Sequence, residues 1–247
     1  MIAFFRRLRK KVLAEGSTAK YFKYALGEII LVVIGILIAL QINNWNIDRQ
    51  TRIKEQAYLK EIRNNLGQDS LQLALVLDFN KNKERIVEEM IGIFSDTLNN
   101  EERFQIFNKH ANNFTFYQVF DPVRIAFTNM LSAESIDLIR SSELREDLSV
   151  YYNYPYLDGI QNRIAVINRR VVDVHFPKFF SKEFVSEWIG ISSEMPEVNE
   201  LNIASDQEFM ADLFGVKMII SVQNELIRAT QKSNQQLIAL VESEINK

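Results

Sequence analysis

The sequence predicts an all-α chain: a single N-terminal transmembrane helix continuing into an extramembrane helical bundle with long antiparallel first and last helices. Three observations predict it. Only 8 Gly and 4 Pro stand among 247 residues, too few for the turns and bulges of a sandwich or barrel. An apolar run over residues 24–42 carries one charge, Glu28. From Asp48 onward, apolar residues recur mostly at three- and four-residue steps, the period of a helix face. At 47% apolar and 25% charged, the chain is neither disordered nor embedded in lipid throughout. The absence of Cys excludes disulfides, thiol nucleophiles, thiolate zinc sites and iron–sulfur clusters.

The first element is read as a membrane span over residues 24–45. Residues 24–42 read YALGEIILVVIGILIALQI, roughly 28 Å long as a helix and close to the hydrocarbon thickness of a bilayer. Ten of them are Ile, Leu or Val from Ile29 to Leu40, and at ~0.3–0.6 kcal/mol each they favour insertion by roughly 3–6 kcal/mol. Glu28 sits near the end of the run, where an acid costs less than at the centre. Tyr21 and Tyr24 on one side and Trp45 on the other place aromatic rings at both interfaces. A cleaved secretory signal fits less well, because Leu40-Gln41-Ile42-Asn43 offers no small-residue cleavage point.

Charge orients the span. Residues 1–47 carry +5, which leaves −8 on the rest of the chain. Seven basic residues lie before the span and five follow it closely, which predicts a basic cytoplasmic segment 1–23 and a periplasmic helical domain 46–247. Arg6, Arg7, Arg9, Lys10 and Lys11 are expected to meet lipid headgroups. Ile2, Phe5, Leu8 and Val12 among them suit either a helix lying in the interface or a basic tail. No basic stripe suited to nucleic acid occurs in the body. Glu28, Leu31, Gly35 and Ala39 share one helix face, with Gly35 and Ala39 as a small-xxx-small pair. They form the expected seam of a homodimer in the bilayer.

The opening FFRRLRKK and the stretch KYFKYALGEIILVVIGILIALQINNWN, residues 20–46, resemble a family of unknown function made of short single-pass proteins of Bacteroidota. A weaker likeness covers residues 120–152, which end in the paired Tyr151-Tyr152. The resemblance implies a Gram-negative inner-membrane protein with a periplasmic domain. It implies no reaction.

In the body, Ile53, Ala57, Ile62, Leu66, Leu73 and Leu77 continue the membrane helix. A second run over residues 81–98, with Ile86, Met90, Ile93 and Phe94 as its stripe, is either its continuation or a separate helix closed by Asn99-Asn100. Residues 101–108 read as a short helix. Asp121-Pro122 reads as an N-cap followed by proline at the first helical position. Ser142 starts another helix, and Pro155 interrupts before residues 157–174. After Ser205-Asp206, the positions Phe209, Leu213, Val216, Ile220, Asn224, Ile227, Gln231, Asn234, Ile238, Val241 and Ile245 predict a final helix approaching forty residues. Asn224, Gln231 and Asn234 on its stripe set register in a bundle, or mark a kink or an exposed middle. The Phe clusters are read as core. Tyr151, Tyr152, Tyr154 and Tyr156 are read as packing with hydroxyls at the surface, with a ligand groove as the alternative.

Catalytic constellations are sparse. His110 and His175 lie too far apart for an HExxH site, and no phosphate-binding glycine loop or GxSxG elbow occurs. Asp173 and His175, two apart, point to different faces of a helix. No metal or cofactor is therefore expected. Ser70 in Asp69-Ser70-Leu71 and Thr97 in Asp96-Thr97-Leu98 fit the acidic-hydroxyl-apolar tripeptide of bacterial periplasmic O-glycans. The expected role is a non-enzymatic interaction or scaffold module, with the lipid bilayer and an unidentified membrane or periplasmic protein as partners. A ligand-sensing domain that signals through a second protein is the alternative, and an enzyme relying on Asp/Glu chemistry is third.

Overall fold

A computed structural model describes residues 18–247, with side chains described from Phe22 onward. Every regular element among these residues is helical. The chain divides into two compact units, one ending at Ala57 and the other spanning Tyr58–Lys247.

Helix α1, Thr18–Ile91, runs 74 residues without a proline. It settles the choice between one helix and two, since no break occurs near Lys81. Within the second unit its buried positions are Leu59, Ile62, Asn65, Leu66, Asp69, Leu73, Val76, Asn80, Lys83, Ile86, Val87 and Met90, one face built mostly of three- and four-residue steps. Ile53 and Ala57 are exposed, contrary to the expected stripe. They lie across the helix from this register, because the spacing to Leu59 is six and two residues respectively.

α1 ends in a 3₁₀ turn, Gly92–Phe94, rather than running on to Asn99. Asn99 instead opens α2, Asn100–Phe114, through a capping box with Glu102. That helix outruns the expected 101–108 because its far end is capped. Lys83 donates to the carbonyls of Asn113, Phe114 and Phe116, which the helix leaves without partners. Asp121-Pro122 does not start the next helix. Asp121 is taken by Arg124 at 2.6 Å, the Phe120 backbone is clamped at both N–H and C=O by Gln161, and α3 begins only at Ile125 and ends at Ser132. Ser141 caps α4, Ser142–Asn153. The chain turns at Pro155, and α5, Ile160–Arg170, passes into a π-helical turn over Val171–His175. Helix α6, Lys182–Ile189, is capped by Ser181 and closed by Gly190, whose φ of +73° is the left-handed conformation glycine adopts without strain. Helix α7, Gln207–Ile245, is capped by Asp206 and runs 39 residues, as the sequence predicts.

α1 and α7 are antiparallel. Their contacts pair Arg63 with Glu242, Asn80 with Gln223 and Asn224, and Glu88 with Lys217, so partner numbers fall as α1 numbers rise. Two apolar cores are threaded on this pair. One gathers Leu59 to Val76 of α1 and Ile227 to Val241 of α7 around Phe120, Phe127, Met130, Leu148, Tyr151 and Tyr152. The other gathers Ile86 to Met90 and Phe209 to Ile220 around Phe107, Phe114, Phe176 and Phe179. Phe107 meets Phe176, Phe179 and Phe209 edge-on with ring centroids 5.2, 5.3 and 6.4 Å away, so most of the clustered Phe residues are core, whereas Phe116 is exposed and Phe180 and Phe184 are half-buried.

Between the cores lies a polar belt. Asn80 Nδ2 donates to Gln223 Oε1 at 2.9 Å and Asn224 Oδ1 at 2.8 Å, and Asn224 Nδ2 donates to Glu84. Further along, Asn234 donates to the Leu66 carbonyl at 3.0 Å and to the Tyr151 hydroxyl at 3.2 Å. Asn224 and Asn234 therefore lie in the helix contact as expected, whereas Gln231 is half-buried and Thr230 takes the buried place beside it. Asn80→Ala leaves the Gln223 and Asn224 oxygens without their buried donor. It should lower stability by about 1–3 kcal/mol, read as a drop in the urea midpoint of far-UV circular dichroism of the full-length protein in detergent.

Candidate functional site

The first unit is dominated by the apolar half of α1. Every Ile, Leu and Val from Ile29 to Leu40 is exposed, as is Trp45. None of the most apolar stretch is buried, and the helix is long and apolar enough to cross a membrane. An uncovered apolar surface of this length marks a membrane or protein contact. Glu28, Leu31, Gly35 and Ala39 share one face of the helix, and a Cβ at Gly35 would meet nothing within 4 Å, so this face is open. Arg6, Arg7, Arg9, Lys10 and Lys11 lie outside the described residues.

In the second unit, the most deeply buried acid is Asp69. Its Oδ1 accepts from the Val123 N–H at 2.7 Å and its Oδ2 from the Tyr151 hydroxyl at 3.1 Å. Burial raises its carboxyl from 3.8 to about 6, only partly opposed by these two donors. Burial likewise pushes the Tyr151 and Tyr152 hydroxyls well above their usual range, with the Asp69 charge adding to it. Tyr151, Tyr152 and Tyr156 are buried and only Tyr154 is exposed, so the hydroxyls do not sit at the surface as expected. The Tyr151 hydroxyl turns inward to Asp69 and Asn234, on helices distant in sequence, whereas the Tyr152 hydroxyl is buried without a hydrogen-bond partner among the described residues. Ser70, beside Asp69, is half-buried, while Thr97 is exposed in the turn before α2 and shares a hydrogen bond with Ser95.

Lys83 is the buried cation of the second unit. Desolvation pulls its ammonium down to about 7, while the three carbonyls it meets and the face of Phe114, 4.1 Å away, favour the charged form. Its position explains its chemistry: it caps α2.

A third centre surrounds His175 at the start of α7. His175 Nε2 lies 2.7 Å from Asp212 Oδ2, and its Nδ1 faces Lys178 Nζ at 3.3 Å and Asp206 Oδ2 at 3.8 Å. His175, Asp206 and Glu208 offer ligand atoms within 4.8 Å of one another, a spacing compatible with a metal ion. Lys178 occupies the middle of this set, 3.0 Å from Asp206 and 3.4 Å from Glu208, and Arg170 pairs with Asp212 and Glu208. Burial works to raise the Asp206 carboxyl, yet the Phe209 N–H and the Lys178 ammonium outweigh it and hold it below the usual carboxylate range. Two cations, Lys178 and Arg170, are thus already paired with the three carboxylates of the cluster. Asp173, the acid nearest in sequence, is exposed and takes no part, whereas Asp206 caps α7 and Asp212 lies in its first turns.

A fourth feature is a groove of about 500 Å³ lined by Phe104, Gln105, Asn108 and Lys109 of α2 and Glu187 and Trp188 of α6. Asn108 donates to Glu187 and accepts from the Trp188 indole N–H. No spacing in the sequence announces it, because the two helices lie some eighty positions apart.

The family of unknown function DUF6090 matches residues 28–182. The chain belongs to this family. The match begins at Glu28, within the apolar half of α1, and ends at the start of α6, so it takes in residues 28–46 and 120–152 and leaves out the FFRRLRKK opening and residues 20–27. Neither curated proteins nor solved structures gave a match. Within this DUF6090 protein, α7 lies beyond the matched region, yet it supplies one wall of both cores.

Asp69 gives the fold a pH signature. Its folded-state value is raised, so between about pH 4 and pH 6 the native state binds more protons than the unfolded chain, and stability falls as pH rises. Asp69→Asn removes this dependence while keeping an acceptor for Val123. Between pH 4 and pH 7 the variant should gain on wild type by roughly 2–3 kcal/mol, measured from urea denaturation of the full-length proteins.

Proposed function

We propose that this DUF6090 protein is a single-pass inner-membrane protein of Bacteroidota, with its N-terminus in the cytoplasm and the helical domain 46–247 in the periplasm. It serves there as a non-enzymatic interaction or scaffold module for a membrane or periplasmic protein. The observation that carries the reading is the apolar half of α1, exposed all round over a length that matches a bilayer. The orientation rests on the basic residues, seven before the span against five after it. The inward polarity of the body favours binding over catalysis. Asp69, Lys83 and His175, ionisable groups buried in the body, are each engaged in holding elements together. The groove between α2 and α6 favours the second reading, a ligand-sensing domain that signals through a partner protein.

Protease added to intact spheroplasts is expected to digest the body and to spare it in inside-out vesicles. The reverse pattern rejects the topology. The seam of Glu28, Leu31, Gly35 and Ala39 is proposed to pair two copies in the membrane, since small residues let helices approach closely. Gly35→Leu should lower the yield of crosslinked dimer in native membranes, and an unchanged yield removes the seam.

A further inference from the structure

We propose that the groove between α2 and α6 binds an organic ammonium ion, held by cation–π contact with Trp188 and charge pairing with Glu187. The inference deepens the ligand-sensing reading but depends only on this groove, not on membrane topology.

The site is built rather than incidental. Helix α6 is closed at both ends, by the Ser181 side chain on the Phe184 N–H and by left-handed Gly190. One buried amide then sets both recognition groups: Asn108, 8% exposed, donates to Glu187 Oε2 and accepts from the Trp188 indole N–H. Phe184 stacks on Trp188 with rings 5.6 Å apart and 12° from parallel, covering one face. Trp188 still keeps 42% of its surface exposed, so the open face of a ring already held in place lines the groove. Little ordering remains to be done on binding.

Charge selects the ligand. The face of tryptophan is the strongest aromatic partner for a cation. The carboxylate beside it, Glu187, is bonded to a neutral amide and pairs with no basic side chain among the described residues. The lysine of the lining, Lys109, is committed to Glu89 at 2.8 Å, and Glu89 also takes Arg85 and His110. An anion would be repelled by Glu187, and a purely apolar molecule would strip water from Glu187 and Gln105 without replacing it. A saccharide would satisfy the polar rim but leave the carboxylate charge uncompensated. An ammonium ion carrying alkyl groups meets both the ring and the charge, and the groove volume lies within the range of small-molecule sites.

The test uses the full-length protein in detergent with Trp45→Phe, so that Trp188 is the one remaining tryptophan of the two. Choline is titrated against its emission, beside dimethylbutanol, the uncharged carbon isostere of choline. Choline should give a saturable change and bind at least about tenfold tighter than the isostere. Glu187→Gln, which preserves an acceptor for Asn108, should weaken choline about three- to tenfold with helicity unchanged. Equal binding of choline and the isostere, no effect of Glu187→Gln, no saturable change with choline, or saturation by a chitin oligosaccharide in its place overturns the proposal. The same ammonium chemistry occurs free and on lipid. In phosphatidylethanolamine nanodiscs a headgroup occupant gives the bound emission before choline is added, whereas a free ion gives the same starting emission there and in phosphatidylglycerol nanodiscs. Either pattern, with choline discrimination intact, supports the site and names its source.

Discussion

The polar belt between α1 and α7 is the constraint on which the second unit depends. Asn80, Gln223 and Asn224 meet where each long helix passes from one apolar core to the other. Sliding either helix by one turn would part Asn80 from Gln223 and Asn224 and leave buried amides unpaired. At about 1–3 kcal/mol for each polar group left unpaired, no slipped pairing competes. The belt therefore selects register, while the aromatic and aliphatic cores on either side supply the driving force.

Other placements follow from that register. With α1 set, Lys83 falls under the C-terminal carbonyls of α2, and Asp69 falls opposite Val123 and Tyr151. α2 then offers Asn108 to α6, and the groove wall stands where that amide holds Glu187 and Trp188. The buried groups Asp69 and Lys83 serve as ties between elements. Their raised or lowered proton affinities reflect the cost of desolvating a tie, which is why Asp69 reports on stability as pH changes.

α1 also shows how one helix carries two kinds of surface in succession. Up to Leu40 its strongly apolar side chains are exposed on all sides, over a length sufficient to cross a membrane. From Leu59 the buried apolar positions form a stripe, with Leu71 and Leu75 left exposed off it. Ile53 and Ala57 belong to neither pattern, which is why a count of three- and four-residue steps mistakenly joined them to the stripe.

Local signals were legible wherever the determining partner lies within a few residues. The apolar run, the cap at Asp206, the length of α7 and the placement of Asn224 and Asn234 on its buried face could all be read from spacing, because helix geometry fixes which neighbours share a face. Signals whose partners are distant were not legible. Asp121-Pro122 has the form of a helix start but is overridden by Arg124 and by the clamp of Gln161, forty-one positions from Phe120. The inward tyrosine hydroxyls, the cap of α2 by Lys83, the partners of His175 and the Trp188 groove all join segments that only folding brings together. Periodicity and apolarity are properties of a segment and survive in the one-dimensional chain. A hydrogen bond between remote side chains exists only once the packing of α1 against α7 has placed them within reach.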